Sequence, residues 1–110
     1  MTNKAATALD PTFPQPTVDE IELTAVLHAL SDPVRLSLVS QLYAGGDERT
    51  CGSFDLPIAK STATHHWRVL REAGLVSARE DGTKKLHRLR RDEIDARFPG
   101  LLHSVVTGSE

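Results

Sequence analysis

Thr64, His65 and Arg68 recur at spacings that place them on one side of a helix, and a cation-rich ribbon follows at Arg79, Lys84, Lys85 and Arg88. Short hydroxyl side chains let a helix backbone approach a partner closely, while Arg and His reach further to donate to base edges or phosphates. The chemistry of such a set is recognition of a polyanion. Catalysis has no comparable support, because no carboxylate pair, glycine-rich phosphate loop or nucleophile–base set is recognisable. The adjacent His65 and His66 do not form a metal pair, since neighbouring helical residues point about 100° apart; His65 is expected outward and His66 inward, beside Trp67.

These residues belong to one stretch, Lys60 to Arg91, which holds nine of the 13 Lys and Arg (Lys60, Arg68, Arg71, Arg79, Lys84, Lys85, Arg88, Arg90, Arg91) against three acids. Its net charge is +6, and the other 78 residues carry four cations and 12 acids, a net −8 beneath an overall −2. A field so divided suits a polyanion partner at one surface. The alternatives are a solvated helix face for Thr64, His65 and Arg68, and solubilising charge for the ribbon; confinement of the cations to one ribbon favours phosphate contact.

Elements must hold this device in place. Ser61 reads as the N-cap of a helix closed by Gly74, with Ala63, Trp67 and Leu70 on the buried face. Leu75 to Arg79 and Lys84 to Arg90 read as two strands joined at Asp81-Gly82, with Leu86 and Leu89 packing inward while Lys84, Lys85, Arg88 and Arg90 line the ribbon. Upstream, Ile21, Leu23, Val26, Leu27 and Leu30 predict a helix from Val18, and Ser31-Asp32-Pro33 starts a second one through about Tyr43. Glu48 to Ala59 is ambiguous: Phe54, Leu56 and Ile58 alternate as in a strand, Pro57 opposes one, and a short helix or turn fits as well. A last helix runs from Asp92 through Ile94, Phe98, Leu101, Leu102 and Val105, broken near Pro99-Gly100. Residues 1–17, with Pro11, Pro14 and Pro16, read as a flexible arm, and residues 18–107 as one domain. The fold class is mainly α with a small β-hairpin, a winged helix-turn-helix.

Segments 28–42 (HALSDPVRLSLVSQL) and 60–90 (KSTATHHWRVLREAGLVSAREDGTKKLHRLR) strongly resemble the ArsR/SmtB family of bacterial winged-helix repressors. His65-His66 and Leu70 to Val76 (LREAGLV) fall at the family's spacing, and with flanking helices the match covers about residues 18 to 106. The resemblance implies a homodimer held through the N- and C-terminal helices, presenting two recognition helices to a palindromic operator in double-stranded DNA. By position it implies DNA contacts from Lys60, Ser61, Thr62, Thr64, His65 and Arg68, and from the wing through Arg79, Lys84, Lys85 and Arg88. Two departures concern sensing: the family's ELCxCD metal motif stands here as ERTCGSFD, with the single thiol Cys51, and the paired ligands of its C-terminal-helix site are not recognisable around His103. Cys51, His28 and His103 are the candidate metal ligands. A transition metal (nickel or zinc), thiol oxidation at Cys51 and a regulatory protein partner are the candidate effectors.

The expected function is a DNA-binding transcriptional regulator, a repressor, and not an enzyme. A protein-interaction module with little or no DNA binding is the alternative, and the acidic N-terminal helix and pI of about 6.2 suit it. The lone Cys51 excludes an internal disulfide, and no run approaches the roughly 18 apolar residues of a membrane span. The N-terminus lacks the apolar core of a signal peptide, so a cytoplasmic location and no membrane partner are expected.

Overall fold

The computed structural model describes residues 13–45, 48–50 and 58–110. In chain order these form a 3-10 turn (Val18–Glu20), helices α1 (Leu23–Leu30) and α2 (Pro33–Gly45), a strand β1 (Arg49–Thr50), helix α3 (Lys60–Glu72), strands β2 (Val76–Asp81) and β3 (Lys84–Leu89), and helices α4 (Arg91–Arg97) and α5 (Leu101–Gly108). This is the winged helix-turn-helix architecture, mainly α with a small antiparallel sheet in the order β1-β3-β2. Ile21, Val26, Leu38, Leu42, Trp67, Leu70, Leu75, Val76, Ile94 and Leu102 meet in one core beneath α3. No described helix is long and apolar enough to cross a membrane.

Local chemistry accounts for the boundaries. The Asp32 carboxylate accepts the Val34 and Arg35 N–H groups at 2.9 and 3.1 Å, satisfying donors that the start of α2 would otherwise leave orphaned. The predicted first helix is two pieces: Ile21 and Glu22 are extended between the 3-10 turn and α1, because Ile21 must leave the helical path to become buried beside Gly74. Ser61 is not the N-cap of α3. Ala59 is, with no side-chain cap, and its carbonyl accepts the Ala63 N–H at 3.0 Å. The strand in the ambiguous connector lies at Arg49–Thr50, whereas Phe54, Leu56 and Pro57 fall outside the described residues. The expected break at Pro99-Gly100 separates α4 from α5.

The close of α3 is geometrically strict. Gly74 N–H donates to the Arg71 carbonyl and Leu75 N–H to the Leu70 carbonyl, both at 3.0 Å, the paired bonds of a Schellman ending. Gly74 has φ +90°, and a Cβ there would lie 2.6 Å from Cγ1 and 2.9 Å from Cδ1 of Ile21. A second glycine, Gly82 at φ +66°, opens the two-residue turn between Asp81 and Lys84, which pair directly.

Two sequence expectations fail on strand parity and burial. Leu86 and Leu89 are three residues apart, so in a strand they face opposite ways: Leu89 is buried and Leu86 only half-buried, with His87 taking the inner position. Arg90 does not line the ribbon. It is 1% exposed, and its guanidinium donates to the Pro16 carbonyl and the Glu93 carboxylate, each at 2.7 Å. Residues 13–17, within the stretch read as an arm, lie against the wing: Gln15 donates to the Ala78 carbonyl at 3.4 Å, and Glu20 accepts the Thr17 N–H at 2.9 Å.

Gly74→Ala combines a left-handed φ with overlap on a buried side chain. It should destabilise the fold by about 2–4 kcal/mol, measured by urea unfolding, and the double variant Ile21→Ala, Gly74→Ala should lose less than the sum of the two single variants.

Candidate nucleic-acid interface

Helix α3 divides cleanly by face. Trp67, Leu70, His66 and Arg71 are buried, while Lys60, Ser61, Thr62, Thr64, His65 and Arg68 are exposed. The Thr64 hydroxyl donates to the Lys60 carbonyl at 3.0 Å, which leaves its oxygen able to accept from a partner. The His65 and His66 rings lie 5.8 Å apart at 53° and diverge as expected.

What holds α3 against the preceding helices is an arginine that sequence reasoning passed over. Arg35, buried in α2, donates from Nε to the Ala29 carbonyl at 2.7 Å and from a terminal nitrogen to the His28 carbonyl at 3.5 Å. Its other terminal nitrogen lies 3.1 Å from His66 Nδ1. A guanidinium only donates, so Nδ1 is the acceptor in this contact. Asp32 lies 3.8 Å from the same Nδ1, and its hydrogen bond from the Arg35 N–H, helped by that from Val34 and by the Arg35 charge, holds its carboxyl below the ordinary aspartate range. One residue thus ties the end of α1, the start of α2 and the middle of α3. The available signal was its isolation: Arg35 is the only Lys or Arg between Lys4 and Arg49, set in an otherwise apolar stripe.

The wing joins α3 through stacked rings. Trp67 and His87 lie 3.9 Å apart at 4°, and His87 has no exposed surface. Burial first, then the charges of Lys85 and Arg71, push its pKa down to about 3, so the ring is neutral. Strand parity puts Lys85, His87 and Leu89 on the face toward α3, and Lys84, Leu86 and Arg88 on the other with Arg79. Between α3 and β3 runs an open cleft of about 190 Å³. It brings Ser61, Thr64, His65 and Arg68 together with Arg71 and Lys85, so that hydroxyls and cations line one space. Burial, with the nearby Arg68 charge, holds the Arg71 guanidinium below the ordinary arginine value, against the pull of Glu72.

The remaining sequence candidates sit elsewhere. Lys60 and Thr62 are exposed on α3, and Lys84 and Arg88 are exposed on the wing's far face. Arg79 is engaged by Glu48 in a two-pronged pair at 2.7 and 2.8 Å, which raises its own pKa and lowers that of Glu48. Cys51 lies outside the described residues. His28 is on α1 and His103 on α5, where its Nδ1 is 3.4 Å from the Tyr43 hydroxyl; among the described residues no group of three or more His, Cys, Asp or Glu could hold a metal ion.

Comparison with known proteins agrees with this geometry. A helix-turn-helix domain family model matches residues 30–78. An uncharacterized HTH-type transcriptional regulator of Bacillus subtilis is 39% identical over 82 residues, covering 73% of this chain and 82% of that protein. The arsenical resistance operon repressor of Staphylococcus xylosus is 31% identical over 75 residues, covering 67% of this chain and 71% of that one. Among solved structures, the transcriptional repressor BigR from Xylella fastidiosa superposes with a TM-score of 0.61 at 30% identity, covering 77% of this chain and 83% of its own.

The buried neutral His87 makes the joint acid-sensitive. Between about 3 and the ordinary 6.5 the unfolded chain binds a proton that the folded site does not. Stability therefore falls as pH drops through that window, by up to about 1.4 kcal/mol per unit. His87→Phe keeps a stacking ring without the titration, and should flatten the decline between roughly pH 6 and pH 4 in urea unfolding; an unchanged slope would place the acid sensitivity in other groups.

Proposed function

The chain belongs to the ArsR/SmtB family of winged helix-turn-helix transcriptional regulators, and on that premise we propose that it represses transcription by binding a palindromic operator as a homodimer. The observation that carries the reading is the cleft between α3 and β3, where Ser61, Thr64, His65 and Arg68 share one surface with Lys85. A helix laid in the major groove would bring Thr64, His65 and Arg68 to base edges, with Lys60, Ser61 and Thr62 near the adjoining backbone. Lys85 from the inner face of the wing, and Lys84 and Arg88 from the outer, would neutralise phosphates. Arg79 contributes less than its position suggests, since Glu48 already occupies its guanidinium.

Dimerisation draws support from α1 and α5. Leu23 and Leu27 are 43% and 45% exposed on α1, and Leu101 and Val105 are half-buried on α5. Apolar side chains left at the surface of two helices that both pack on α2 offer the material of an isologous interface. An effector that reorients the two subunits would change the spacing of the recognition helices, with coupling equal in both directions. A transition metal, thiol oxidation at Cys51 and a docked regulatory protein are the effector classes; Cys51 lies outside the described residues, and no step is routed through a metal here.

Fluorescence anisotropy on a duplex from the chain's own promoter tests this. Arg68→Ala should lose about 1–3 kcal/mol of discrimination between operator and unrelated sequence. Lys84→Ala and Arg88→Ala should weaken binding to both duplexes and lower the salt slope by about one per phosphate lost, while Arg79→Ala changes less. A wild-type protein that binds no duplex in a salt-sensitive way would leave the protein-interaction reading in its place.

A further inference from the structure

Phe13 lies where no recognition element is expected. Its ring is 8% exposed, with the Arg71 guanidinium 5.4 Å and the Lys85 ammonium 5.0 Å from its centroid. Those cations come from different elements, α3 and β3, and both line the cleft. Left alone, two like charges facing one cleft repel, and Lys85 would spread into water to regain side-chain entropy. The electron-rich face of an aromatic ring attracts a cation within about 6 Å, so one ring within reach of two cations offsets their repulsion and restrains both.

The ring is itself held in place. Gln15, two residues on, donates to the Ala78 carbonyl of β2; the Pro16 carbonyl accepts from buried Arg90; Pro16 Cγ would lie 3.2 Å from a Cβ at Gly74. The segment from Phe13 to Thr17 therefore touches the recognition helix's end, both long wing strands and the residue after the wing. It spans the joint between the two recognition elements.

We propose that residues 13–17 form a strap that pre-organises the phosphate-binding cations of the cleft, with Phe13 as the positioning residue that gathers Arg71 and Lys85. Phe13 touches no nucleic acid in this role. It acts by keeping two side chains where a phosphate between α3 and the wing meets both, so the ordering cost is met before DNA arrives. Because phosphates carry no sequence information, its effect falls equally on operator and unrelated duplex.

The proposal rests on the reading of the cleft as the DNA site, and Lys85→Ala separates the two. Full-length wild type, Lys85→Ala, Phe13→Leu and Phe13→Tyr are compared by anisotropy against salt on the promoter duplex and on an unrelated duplex, with urea unfolding of each. Leucine keeps an apolar plug without a ring face, and tyrosine keeps the face. Phe13→Leu should weaken binding to both duplexes by about five- to fiftyfold and lower the salt slope by roughly one to two, while Phe13→Tyr restores both. A merely structural role would lower unfolding stability and leave the salt slope of the folded protein as in wild type. If Lys85→Ala weakens binding and Phe13→Leu keeps the wild-type affinity and slope, the strap is wrong. Failure of Phe13→Tyr to restore binding overturns it also. If Lys85→Ala binds like wild type, the reading of the cleft falls and the strap with it.

Discussion

The stack of Trp67 on His87 is the contact on which the surface formed by α3 and the wing depends. Helix α3 must bury one face in the core and leave the other bare, and α1 and α2 cover its inner face from one side only. The wing supplies the other cover, and it does so through an aromatic pair at 3.9 Å, close enough to fix the separation and angle of the two elements. Once His87 faces α3, strand parity dictates that Lys85 faces the same way, which delivers a cation into the cleft beside Arg68. The price is a neutral imidazole: a charged ring would sit unsolvated beside Arg71 and Lys85.

The concentration of charge that distinguishes Lys60 to Arg91 is less available than its net +6 implies. Arg90 is buried in contact with Pro16 and Glu93, and Arg91 packs over the Tyr43 ring at 4.1 Å. Arg79 is matched by Glu48, and Arg71 is largely covered, with Phe13 over its guanidinium, so that it meets a partner only through the cleft between α3 and β3. Lys60, Arg68, Lys84 and Arg88 are exposed, and Lys85 half-exposed, on the surface formed by α3 and the wing. Composition measures total charge, whereas a partner meets only what burial and ion pairing leave outside.

Much of the architecture was legible because it rests on local signals. Gly74 after an amphipathic run, Asp32 before Pro33, and Gly82 between two β-rich runs each act within a few residues, and each appears where the pattern placed it, apart from the turn moving one residue along. The exposed face of α3 was legible for the same reason, since helical period alone divides Thr64, His65 and Arg68 from Trp67 and Leu70. The misreadings arose where a distant residue decides the outcome. Ile21 leaves the helix to pack beside Gly74, and Arg90 turns inward because the Pro16 carbonyl, 74 residues away, accepts from it together with Glu93. Leu86 and Leu89 stand an odd number of residues apart, so strand parity alone sets them on opposite faces.

Four arginines, the buried Arg35 and Arg90, the half-buried Arg91 and the exposed Arg97, share a task that apolar residues could not perform. Arg35 donates to the carbonyls of Ala29 and His28, Arg90 to that of Pro16, Arg91 to that of Tyr43 and Arg97 to that of Ile21. Each joins an element to a stretch whose carbonyls have no regular ladder: a helix end, the segment before the 3-10 turn, or the extended link after it. An unsatisfied carbonyl in such a position costs about 1–3 kcal/mol. A guanidinium reaches two acceptors at once in a fixed plane, as Arg90 does with Pro16 and Glu93, which a lysine ammonium on a flexible stem does not reproduce. The two roles of arginine here thus divide by what lies within reach of the side chain. Where main-chain carbonyls converge, the arginine is a joint of the fold; where the surface of α3 stays bare, as around Arg68, the same donors remain for a polyanion.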